Sequence, residues 1–137
     1  MDSYIRMNAL RLPTIVGSSS AEGFRTSTGE EGVLCYGPYI PLEPGKYVAG
    51  FYIRRIESSQ FGNIVIDAFE GGLPLLAEKG ISQQGLFEDL ASFVYVPFNV
   101  NQPTLRTEIR LHVGAGVLIE VGDFVLFKAN PRIWSTI

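Results

Sequence analysis

Apolar and polar positions alternate with a period of two along most of this chain, and Gly, Pro, Asn and Ser interrupt the alternation at short intervals. Helical spacing is nearly absent, so the pattern predicts an all-β sandwich. The clearest strands are Gly32 to Tyr36, Lys46 to Ile56, Asn63 to Phe69, Ser92 to Val100, Thr104 to Val113, and Val117 to Lys128 with a bend at Gly122. Shorter candidates are Ala9 to Val16, Phe24 to Ser27 and Leu75 to Gly80. Pro44-Gly45, Gly71-Gly72 and Gly114-Ala115-Gly116 mark turns between them. Only Ser82 to Ala91 admits a short helix, because Leu86, Phe87, Leu90 and Ala91 fall on one helical face; Gly85 limits it to two turns.

The alternation also assigns faces. Tyr47, Ala49, Phe51 and Ile53 share one side and read as core, with Val48, Gly50, Tyr52 and Arg54 on the other. Leu105, Thr107, Ile109, Leu111 and Val113 point one way, and Arg106, Glu108, Arg110 and His112 the other. Ile64, Ile66 and Ala68 alternate with Val65, Asp67 and Phe69, so the outer side of that strand mixes a carboxylate with an aromatic. The stretch Val33 to Arg55 concentrates aromatic rings around Pro38, Pro41 and Pro44; Tyr39 and Tyr47 are expected to wedge this corner onto the core. Tyr36 and Tyr39 read first as packing residues and second as rings offered to a ligand.

Length and composition narrow the class. At 137 residues with 46% apolar side chains the chain fits one domain with a real core. No apolar run approaches the roughly 18 residues of a membrane span. Its mean hydropathy of +0.18 allows either a sandwich buried on two inner faces or an additional apolar association surface, hence a homo-oligomer. Net charge is -3 with no block of like sign, which argues against a nucleic-acid partner. Asp2 stands where a secretory signal carries positive charge, so the expectation is a cytoplasmic protein or a domain cut from a longer one. The single cysteine, Cys35, cannot form an internal disulfide and reads as a small buried hydrophobe.

The chemistry of catalysis is thin. His112 is the only histidine, and no serine or cysteine beside it has the setting of an activated nucleophile. One Cys and one His do not make a zinc site. Glu30, Glu31 and Asp123 lie near predicted strand ends, where a sandwich can gather oxygens around a structural calcium; solvated surface acids are the simpler account. An enzyme is disfavoured. Tyr52, Arg54, Asp67, Arg110 and His112 have the composition of a sugar platform, one ring for stacking and polar groups for hydroxyls. The same residues also fit an ordinary charged sheet face. Trp134 reads as an edge-packing ring or a contact to another chain before a sugar platform.

The segment "STGEEGVLCYGPYIPLEPGKYVAGFYIRR", followed by "GNIVIDAFEGGLPLLAEKGI" and "FVYVPFNVNQPTLRTEIRLHVGAGVLIEVGDFVLF", resembles a jelly-roll domain found attached to bacterial glycosyltransferases and methyltransferases of surface-polysaccharide pathways. It is similar, more loosely, to galactose-binding-like carbohydrate modules. The matching positions, Gly37, Pro38, Tyr39, Leu42, Gly45 and Tyr47, are turn and core positions that transfer architecture. The resemblance implies a jelly-roll β-sandwich and a non-catalytic module that binds a surface polysaccharide or other glycan, with an attached enzyme domain as partner. It also implies that Asp123 helps hold a structural calcium. The alternative is a structural or assembly domain, and a small hydrolase stands third.

Overall fold

The computed structural model describes residues 4–56, 62–70 and 75–129. Ten strands follow in order: β1 (Tyr4–Asn8), β2 (Gly17–Ser19), β3 (Arg25–Ser27), β4 (Gly32–Ile40), β5 (Gly45–Arg55), β6 (Asn63–Glu70), β7 (Leu75–Ser82), β8 (Ser92–Val100), β9 (Thr107–Val113) and β10 (Ile119–Lys128). They form two antiparallel sheets. The first runs β2-β3-β10-β5-β8, with β1 also on β10; the second runs β4-β9-β6-β7. This is the all-β, two-sheet sandwich that the alternation predicts, consistent with a jelly roll.

Period-2 burial explains how the sheets meet. Tyr47, Phe51 and Ile53 of β5, with Phe98 of β8 and Phe124 and Leu126 of β10, turn inward against Ile64 and Ile66 of β6 and Ile109 and Leu111 of β9. Phe51 lies 5.2 Å from Phe124, centroid to centroid, and Tyr47 stacks on Phe98 at 5.7 Å. The Tyr47 hydroxyl donates to the Glu43 carbonyl at 2.8 Å, so its polar tip is satisfied at the edge of the core. Cys35 is buried among these groups, and burial pushes its thiol pKa up to about 12.

Register shifts adjust the alternation at several places, and two of them shape the core. One in β4, between Val33 and Cys35, turns both Leu34 and Cys35 inward. Another in β10, between Val121 and Phe124, brings both of those side chains into the core at the bend expected at Gly122. It also divides the outer edge of β10: β3 pairs with Glu120 and Val121, and β1 with Asp123 to Phe127.

Several expectations need correction. The strand expected from Thr104 begins only at Thr107, so Leu105 lies before it and is 79% exposed. Ala9 to Val16 is not a strand; Ala9–Arg11 forms a 3-10 turn capped by the Asn8 side chain, and the following segment bonds through Ile15 N and Val16 N to the Val33 carbonyl. That contact, with Tyr36 N donating to the Pro13 carbonyl, covers the free edge of β4. Ser82 to Ala91 holds only a 3-10 turn, Gln83–Gly85. Leu86 is buried, but Phe87 and Leu90 are 57% and 63% exposed, so no apolar stripe exists to fund a helix. The corner at Gly37-Pro38 is absent, because β4 continues through Pro38 to Ile40 along β9, with the register shifting at Tyr39, the residue between the Pro38–Glu108 and Ile40–Thr107 pairs. Tyr39, at φ 61°, is consequently 38% exposed and not wedged on the core. The Gly71-Gly72 turn and Trp134 lie outside the described residues.

Candidate functional site

The outer face of the β4-β9-β6-β7 sheet gathers three of the five residues singled out from sequence. Asp67 of β6 stands directly opposite Arg110 of β9, and His112 lies one step along, opposite Val65. Cross-strand placement puts all three on one face. Asp67 accepts from Arg110 Nε at 2.9 Å through Oδ1 and from Arg110 Nη2 at 3.1 Å through Oδ2, while His112 Nε2 sits 2.8 Å from Oδ2. Arg110 also lies over the Phe69 ring, 3.8 Å from its centroid. These partners leave Asp67 only 4% exposed. Burial alone would push its carboxyl up; the hydrogen bonds and charges of His112 and Arg110 outweigh that and hold it below the usual carboxylate range.

Two clefts flank the cluster. One, of ≈ 480 Å³, is lined by His112 with Glu31, Asn63, Val65 and the backbone around Gly32 and Gly114. The other, of ≈ 260 Å³, lies between Tyr36, Glu108 and Arg110, with Ile15 and Val33 as its apolar wall. Tyr36 meets Tyr39 edge-on at 6.4 Å, and the Arg106 guanidinium lies 5.1 Å above the Tyr39 ring. Glu108 is 8% exposed. Burial raises its pKa above the ordinary value, against the attraction of Arg110 and a hydrogen bond from the Tyr39 hydroxyl. The face thus offers rings, a ring nitrogen, carboxylates and amides side by side, which suits recognition of hydroxyl groups. Glu108 was legible in the alternation of β9 as an outward residue; its burial comes from Tyr39 and the β4 edge.

Tyr52 and Arg54 are elsewhere. Both lie on β5 in the other sheet, so the platform expected from five converging residues does not form. Tyr52 packs against Phe93 at 5.1 Å, and Phe93 stacks on Tyr95 at 5.5 Å. Arg6 lies over Tyr52 at 5.4 Å, and Lys79 over Tyr95 at 4.5 Å. Arg54 holds Glu120 bidentately at 3.1 and 2.8 Å and donates to the Glu88 carbonyl.

Asp123 accepts from Arg6 Nε at 2.7 Å on β10, whereas Glu30 and Glu31 precede β4 in the opposite sheet. Among the described residues, no group of three or more His, Cys, Asp or Glu side chains is placed to hold a metal ion. No helix among them is long and apolar enough to cross a membrane.

No protein-family model and no curated protein matches this chain. Solved structures do. The C-terminal family 6 carbohydrate-binding module of LamC, a marine laminarinase from Zobellia galactanivorans, matches at TM-score 0.61 and 15% identity, over 91% of this chain and 99% of that one. A family 6 module from Cellvibrio mixtus lichenase 5A, solved with cellotriose, matches at TM-score 0.61 and 13% identity, over 95% and 100%. TmCBM61, solved with β-1,4-galactotriose, matches at TM-score 0.54 and 15% identity, over 92% and 88%. The chain therefore has the jelly-roll fold seen in carbohydrate-binding modules.

Proposed function

We propose that this chain is a non-catalytic carbohydrate-binding module whose ligand lies across β4, β9 and β6, and that it serves as an accessory to an enzyme acting on a surface polysaccharide. The observation that carries the reading is the Arg110-Asp67-His112 cluster. It places oriented polar groups on an exposed sheet face, between two clefts and beside the Tyr36 ring. The likeness to modules solved with cellotriose and β-1,4-galactotriose supports the class of ligand. Tyr36 stacks on a sugar face, His112 and Asn63 bond hydroxyls at one end, and Glu108 accepts from hydroxyls at the other. Such open sites bind weakly, on the order of micromolar to millimolar. Titration calorimetry with cellotriose and β-1,4-galactotriose tests this. Binding that is lost in Tyr36→Ala and His112→Ala, with melting temperature retained, supports the reading; no binding to either sugar or to a wider glycan array refutes it.

One observation favours a second reading, an assembly domain. The outer face of the larger sheet carries buried Val48 and Val125 together with Tyr4, Tyr52, Phe93 and Tyr95, an apolar surface pointing away from the core. Sedimentation showing a dimer that Tyr95→Asp dissociates would support it, and a monomer at high concentration would exclude it.

A further inference from the structure

The charges left over on the candidate face are one-sided. Asp67 and Arg110 are opposed in a bidentate pair, so the Arg110 fork is already occupied and stacked on Phe69. Arg54, the other guanidinium expected from sequence to meet an acidic substituent, is on the opposite sheet and filled by Glu120. What remains is Glu31 in the cleft beside His112, Glu108 in the cleft beside Tyr36, and Glu78 directly across from Asp67 on β7. Against these stands Arg106, whose guanidinium lies over Tyr39. Each cleft thus presents a carboxylate that makes no salt bridge, among the described residues, with Lys, Arg or His.

We propose that Glu31 and Glu108 are specificity-determining residues, a charge filter that admits hydroxyl-bearing neutral sugars and rejects glycans carrying carboxylate or sulfate groups at these positions. The inference rests on the carbohydrate-binding reading and names its ligand class. Glu108 is nearly buried beside an apolar wall of Ile15 and Val33, where a repulsive partner is screened less than it is in open solvent. An incoming carboxylate in this cleft would face that charge, while the Arg110 fork lining the cleft is already filled by Asp67 and the exposed Arg106 lies outside the cleft lining, over the Tyr39 ring. A neutral hydroxyl, in contrast, donates to either glutamate.

The test pairs each neutral trisaccharide with its own oxidised form. The full chain is titrated with cellotriose and β-1,4-galactotriose, and with the same sugars after oxidation of their primary hydroxyls to carboxylates. The oxidised sugars are expected to bind about tenfold or more weakly at low salt, with the gap narrowing as salt is raised. Glu31→Gln together with Glu108→Gln should close the gap, read in each protein as the ratio of oxidised to neutral affinity, so that any loss of neutral-sugar binding from the altered acceptors cancels; Glu31→Gln alone, at an exposed position, gives a partial effect without risk to folding. Oxidised sugars binding as well as their parents, or a gap unchanged in the double variant, overturns the filter. If neither neutral nor oxidised sugars bind, the carbohydrate reading falls and the filter falls with it.

Discussion

Replacing Asp67 by alanine removes the acceptor shared by Arg110 and His112. A hydrogen bond to a charged group contributes about 1.5–3 kcal/mol, and breaking a buried ion pair costs about 3–5 kcal/mol. The partners here are not fully buried: the side chains of Arg110 and His112 are 29% and 31% exposed and regain water when Asp67 is lost. The cost should therefore fall to about 2–3 kcal/mol. Asp67→Asn keeps the volume and one acceptor and should cost less. Urea denaturation of the three proteins at pH 7 measures this. The pH dependence gives an independent check, because the Asp67 carboxyl is held below its ordinary value. A depressed carboxyl contributes stability that is fully present above its unfolded pKa of about 3.9 and is lost as pH falls through the folded value. The parent should thus lose part of its advantage over Asp67→Asn on acidification below about pH 4. A loss under about 0.5 kcal/mol for Asp67→Ala, or parallel pH profiles, would mean that the cluster is an ordinary solvated ion pair.

Phe51→Ala should cost about 3–5 kcal/mol by urea denaturation, since the ring is fully buried against Phe124; a loss below about 1 kcal/mol would contradict its place in the core. Tyr52→Ala should leave glycan affinity unchanged in calorimetry, because Tyr52 sits on the opposite sheet from the cluster, and a loss of binding would move the site there. Glu108 runs opposite to Asp67: its folded pKa is raised, so its contribution to stability declines as pH rises from the unfolded value, about 4.3, through the folded one. Glu108→Gln should remove that decline, and an unchanged thermal-melting profile from pH 4 to 7 would show that burial does not burden the carboxylate.

Faces were legible in the sequence wherever a strand alternated. β5 and β9 assign themselves: Phe51 and Ile53, like Ile109 and Leu111, are fully buried as their period-2 spacing requires. The same rule failed where a bulge adds a residue, so consecutive Leu34 and Cys35 both face inward. It failed again at Ser82 to Ala91, where helical spacing of Phe87 and Leu90 had no neighbouring element to cover them. Tyr39 was misplaced for a related reason. Pro38 reads as a corner, yet a proline is tolerated in an edge strand, where its missing N–H deprives no strand of a ladder bond.

Neighbourhood is a different quantity from face, and alternation does not carry it. β5 and β6 are consecutive, but β5 pairs with β8 and β10 while β6 pairs with β7 and β9. Tyr52 and Asp67, both outward and close in sequence, therefore look out from opposite sides of the sandwich. The separation also decides which outward residues retain binding capacity. On the larger sheet the charges close on one another: Arg54 on Glu120, Arg6 on Asp123. On the smaller sheet Asp67 takes both Arg110 and His112, which leaves Glu31 and Glu108 facing the clefts with no salt-bridge partner among the described residues. A charged sheet face becomes a candidate site where carboxylates outside any salt bridge stand beside a ring, and in this fold that condition is met around Tyr36 and His112.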